Sequence, residues 1–182
     1  MSRTLSTAAL LAALAFPVVA EGQIGFGAAA GVAQPVGDFG NVAKAGPLFS
    51  GLVNVSIPLA PVGVRFEGSY GTYDYKSTVG STGGNVRMLS ATANAIVSTP
   101  GPIGPYLIAG LGYYRSTAEC TACSTESNKV GYNGGVGLKA GLFGVAAFVE
   151  ARFHHIPGAS DPTNGGVKTN TQFIPVSVGV TF

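Results

Sequence analysis

The chain has 182 residues, of which 46% are apolar and only 10% charged, with 28 glycines and a net charge of +2. So few charges exclude a solvated globular surface, and so much apolar content excludes intrinsic disorder. The small net charge, with no basic cluster, excludes a nucleic-acid footprint.

The amino terminus has the order of a secretory signal. Arg3 supplies a positive start, and Ala8 to Ala20 is an apolar run too short for a spanning helix. Small residues before Glu21 predict cleavage after Ala20, giving a signal peptide over 1–20 and a single domain over 21–182. An uncleaved anchor is the alternative, disfavoured by length.

Past the signal the chain alternates with a period of two. In a strand, successive side chains point to opposite faces. Strands are predicted over Gln23–Gln34, Leu48–Ile57, Val62–Tyr73, Val86–Ser98, Pro105–Arg115, Val130–Ala140, Val145–His155 and Gln172–Phe182. In the last of these, Ile174, Val176, Val178, Val180 and Phe182 share one face, and Ser177, Gly179 and Thr181 share the other. Such a run of roughly 10 residues matches a tilted membrane-crossing strand. The connections alternate long and short. Long polar stretches are predicted as loops at Pro35–Gly46, Asp74–Asn85, Ser116–Lys129 and Ile156–Lys168, with short turns between them. No segment shows a helical period, so helix content is expected to be near nil. Eight strands with long connections at one rim and short turns at the other predict an all-β, eight-stranded, antiparallel up-and-down barrel in the bacterial outer membrane. Both termini then lie on the short-turn side, in the periplasm, and the long loops are extracellular.

The two faces differ in charge. The Val/Leu/Phe/Ala face holds no charged residue inside any predicted strand; Arg87 and Arg115 share its parity only at strand ends. That is what hydrocarbon demands, since a cation at the midplane of a barrel's outer wall costs about 2–4 kcal/mol. The opposite face carries Arg65, Glu67, Lys139, Glu150 and Arg152 among many glycines. A soluble barrel would turn this second face outward, and it is too sparsely charged for that. An eight-stranded barrel has an interior just wide enough for side chains, so these five charges are expected to pair and plug the lumen. A narrow pore for ions or small solutes is the alternative. Tyr70, Tyr113, Tyr132 and Phe153 are expected to form an outward girdle near the long-loop rim.

These features together resemble the small eight-stranded outer-membrane barrels, the OmpA/OmpX-like group. The resemblance rests on the signal, the P-Y-L-I-A-G-L-G-Y run at Pro105–Tyr113, E-A-R-F at Glu150–Phe153, and V-S-V-G-V-T-F ending on Phe182. It implies that Phe182 is a barrel-insertion signal read by the assembly machinery, with periplasmic chaperones as partners during biogenesis. Outer-membrane lipid and lipopolysaccharide are the expected surroundings. The group includes structural anchors, adhesins, narrow channels and a few lipid-modifying enzymes. The extracellular ligand is not readable from loops of Ser, Thr, Gly and Asn.

Two further sets of residues are candidates for chemistry. Cys120 and Cys123, in a polar stretch of an exported chain, are expected to form a local disulfide in an oxidising compartment. A redox motif would need a βαβ context, and two thiolates fall short of zinc's usual four ligands. His154 and His155, followed by Ser160 and Asp161, are the one nucleophilic-looking set. They lack the His-x-Ser spacing that the resemblance to lipid A deacylases would require, so no enzyme activity, cofactor or metal is expected. The glycine runs lie between no strand and helix and are not phosphate loops.

Overall fold

A computed structural model describes residues 24–57, 60–76, 84–120, 123–142, 144–158 and 170–182. The predicted signal peptide therefore lies outside the described residues. Strands β1 (Ile24–Val36), β2 (Gly46–Ser56), β3 (Val62–Asp74), β4 (Gly84–Ser98), β5 (Ile103–Cys120), β6 (Cys123–Leu142), β7 (Val145–Ile156) and β8 (Thr171–Thr181) follow in order. Each pairs antiparallel with its neighbours in sequence, and β8 pairs with β1 to close the barrel. Closure leaves no free sheet edge in the wall, as a lipid environment requires. Phe182, just past β8, clamps the seam: its N–H donates to the Phe26 carbonyl and its own carbonyl accepts from Phe26 N–H, both at 2.8 Å.

Side-chain direction follows the alternation. Leu111 and Val178 are 65% and 62% exposed, whereas Arg65 and Glu150 are 4% and 2% exposed. The uncharged face is therefore the outer wall, and Tyr70, Tyr113, Tyr132 and Phe153 stand exposed on it near the long-connection rim.

The structure corrects the sequence reading at two connections. Ser116–Lys129 is not a loop. β5 runs 18 residues and β6 runs 20, and they stay in register out to Cys120 opposite Cys123. Tilted strands need only about 9–11 residues to cross, so this hairpin stands well beyond the wall. Over this stretch neither face is fully buried, so the polar/apolar alternation that marks a strand is lost. The Pro35–Gly46 stretch holds a six-residue helix, α1 (Gly37–Val42), where the sequence pattern predicts none. Gly37, at φ 58°, enters it in the left-handed region open to glycine.

α1 is anchored from one rim onto the mouth. Lys44 N–H donates to the Asp74 carbonyl at 2.8 Å, Lys76 N–H to the Val42 carbonyl at 2.8 Å, and Lys76 Nζ to the Gly40 carbonyl. These bonds turn the buried Phe39 ring inward, edge-on to Tyr73 at 5.3 Å between centroids.

Candidate functional site: paired charges in the lumen

The paired charges of the lumen come from two strands that face each other. In an eight-stranded ring, β3 and β7 lie four strands apart and run the same way. β3 carries Arg65 and Glu67 and β7 carries Glu150 and Arg152, each pair two residues apart and so on one face. The two strands present the charges in opposite order, so at each height a cation meets a carboxylate. Arg65 Nη1 donates to Glu150 Oε2 at 2.9 Å, and Arg152 Nη2 to Glu67 Oε1 at 2.5 Å. Arg152 Nε also lies 2.7 Å from Glu150 Oε1, an ion pair too bent for a hydrogen bond. Tyr106 Oη donates to Glu150 Oε2 at 2.6 Å, and Arg65 Nε to Asn54 Oδ1 at 2.9 Å. All four charged residues are buried. Taking ions out of water is costly, and they persist there only when paired and hydrogen-bonded.

Lys139 is not part of this set. It sits nearer the short-turn rim, and its Nζ donates to Ser98 Oγ at 3.0 Å. Salt bridges among the described residues join four of the five charges expected to pair.

Apolar side chains pack beside the ions towards both ends. Towards the short turns, Tyr106, Ile108, Phe148 and Leu52 pack together, with the Arg65 guanidinium carbon 4.9 Å from the Phe148 ring centre and 5.7 Å from that of Tyr106. Towards the long connections, Phe39, Tyr73, Tyr114 and Phe173 form a stopper with Leu48, Met88 and Ile156. Bulky side chains fit because glycines face them. Tyr106 lies opposite Gly137, Phe148 opposite Gly179 and Arg152 opposite Gly135 in the ladders, and a Cβ on any of these glycines would strike the facing side chain.

His154 belongs to the stopper. It is buried, its Nδ1 shares a hydrogen bond of 2.8 Å with Tyr114 Oη, and its ring stacks on Phe173 at 4.7 Å. His155 points to the other side, stacked on Tyr132 at 4.9 Å and 2.8 Å from Gln172 Nε2. The two histidines thus do not share a site, and Ser160 and Asp161 lie outside the described residues. The side chains of Cys120 and Cys123 also lie outside them. On the projecting hairpin, Arg115 and Glu126 pair at 2.7 Å, and Arg87 and Glu119 at 3.1 Å. The hydrogen bond and charge of Glu126 push the already basic Arg115 guanidinium up further.

The aromatic stopper is what sequence reasoning missed. Its inward residues were visible on the right parity, but Phe39 lies in a stretch with no period. A lone phenylalanine among Gly, Asp and Asn was the available signal.

A family model described as "Outer membrane protein beta-barrel domain" matches residues 6–182. Among solved structures, Neisserial surface protein A is similar at 18% identity and a TM-score of 0.64, covering 87% of this chain and 95% of its own. A major outer membrane protein from Thermus thermophilus is similar at 14% identity and a TM-score of 0.53, covering 88% and 99%. The N-terminal β-barrel domain of Pseudomonas aeruginosa OprF is similar at 19% identity and a TM-score of 0.50, covering 89% and 100%. At these identities the likeness is one of fold. No curated protein matches the chain.

Proposed function

We propose a role for this protein from one premise: the chain belongs to the outer membrane protein beta-barrel domain family. It is a barrel of the bacterial outer membrane. In our reading it serves there as a closed, non-enzymatic structural or surface-contact element and not as a channel. The observation that carries this is the lumen itself. Four buried charges pair across its full width, with apolar layers on both sides of them. An ion crossing the lumen would have to break these pairs without the solvation that free water offers.

Surface contact would run through the long-connection rim and above all the β5–β6 hairpin, where Arg115, Glu119 and Glu126 stand with Arg87 of β4 beside them. In this reading that rim is extracellular, and both termini and the short turns are periplasmic. A signal over 1–20, lipid and lipopolysaccharide around the wall, and Phe182 as the residue read by assembly machinery and chaperones complete the proposal. The Phe182 part draws support from its place at the β1–β8 seam.

Planar-bilayer recording of the refolded protein tests the closed lumen. The expected trace is flat at salt concentrations where open porins conduct. Steady unitary steps from the unaltered protein would favour the narrow-pore alternative and overturn this reading.

A further inference from the structure

We propose that a vestibule at the short-turn rim binds a small organic anion, anchored by Lys139. The lumen opens at that end into a cavity of about 730 Å³, within the range of small-ligand pockets. Its walls include Asn54, Ser56, Arg65, Tyr106, Lys139 and Phe148. Both charged side chains among its described lining residues, Arg65 and Lys139, are cations.

The charge balance then leaves one of them over. Arg65 and Arg152 are matched by Glu67 and Glu150. Lys139 has no salt bridge among the described residues and donates to the neutral Ser98 hydroxyl. An ammonium has three N–H donors, so capacity for an acceptor remains. Lys139 is half-buried, where a counter-charge is held more strongly than in bulk water. Phe148 is its direct partner across the β6–β7 ladder, and Tyr106 stands nearby on β5. The site therefore has a cationic head and aromatic walls. It fits a carboxylate or phosphate monoester with a compact apolar body.

The full protein, refolded into nanodiscs of zwitterionic lipid, is titrated with 4-fluorobenzoate and, separately, with neutral 4-fluorobenzyl alcohol, each followed by fluorine NMR. The proposal expects saturable binding of the benzoate, about tenfold tighter than the alcohol. Lys139→Gln should lose that preference and Lys139→Arg should keep it. Non-saturable benzoate signals, equal affinity for both probes, or an unchanged preference in the Lys139→Gln protein would each overturn it. Should the glutamine variant fail to fold, the benzoate-to-alcohol comparison on the unaltered protein decides alone.

Discussion

Glu150 is the residue on which the lumen network turns, and its replacement by alanine gives the sharpest test. Its carboxylate accepts from Arg65 at 2.9 Å and from Tyr106 at 2.6 Å, and it lies 2.7 Å from Arg152 Nε. Removing it leaves the buried Arg65 guanidinium without its carboxylate and Arg152 with Glu67 alone. Breaking a buried pair by deleting one partner costs about 3–5 kcal/mol, and the stranded Tyr106 hydroxyl adds a further penalty of about 1–3 kcal/mol. Some relaxation through water entering the lumen will offset part of this, so a net loss of about 3–5 kcal/mol is expected. The chain has no tryptophan, so intrinsic tryptophan fluorescence cannot follow unfolding. The suitable readout is the fraction running as compact barrel on unheated gels across a urea series in lipid vesicles. The double variant Arg65→Met/Glu150→Leu should recover most of the loss, because it removes both ends of one pair and replaces them with apolar volume. Should Glu150→Ala unfold within about 0.5 kcal/mol of the unaltered protein, the network would be decoration and the closed-lumen argument would fail with it.

Three other outcomes can be checked by the same or simpler means. Leu111→Arg puts a cation on the outer wall and should cost about 2–4 kcal/mol in a bilayer; equal stability in lipid would argue that this face does not meet hydrocarbon. Gly137→Val should drive Tyr106 off Glu150 and lower stability, whereas Gly51→Val, whose new side chain enters open space, should be tolerated within about 1 kcal/mol; the same unfolding series compares them. If Cys120 and Cys123 form the proposed disulfide, thiol titration of unreduced, unfolded protein should find no free thiol, and two reactive thiols per chain would refute it.

Much of this was legible in the residues. The outer wall was readable because one parity stayed free of charge over eight segments, which only a lipid solvent explains economically. The network was readable because Arg65-x-Glu67 and Glu150-x-Arg152 are mirror-ordered pairs on strands that an eight-fold ring sets opposite each other. The excess of Lys139 was not. Parity places it on the inner wall, but height along the barrel decides its partner, and height depends on register between strands that sequence alone does not fix. The β5–β6 hairpin was missed for a related reason. Period-two patterning reports a difference between the media on the two faces, and above the membrane there is none. The α1 segment escaped because six residues carry too little periodicity, and its anchors, the Asp74 carbonyl and Lys76, come from the far end of β3 and the residues just past it.

The glycines tie these observations together. A narrow barrel has room for large inward residues only where its wall gives way, and at three ladder positions the chain sets such a residue opposite none at all. Tyr106 over Gly137, Phe148 over Gly179 and Arg152 over Gly135 each place a side chain across the ladder onto bare backbone. Outward glycines such as Gly51 have no such partner. The glycine excess in the composition is therefore, at these inner positions, the complement of the bulky inward side chains, and the same substitution should be costly or harmless according to which side of the wall it enters.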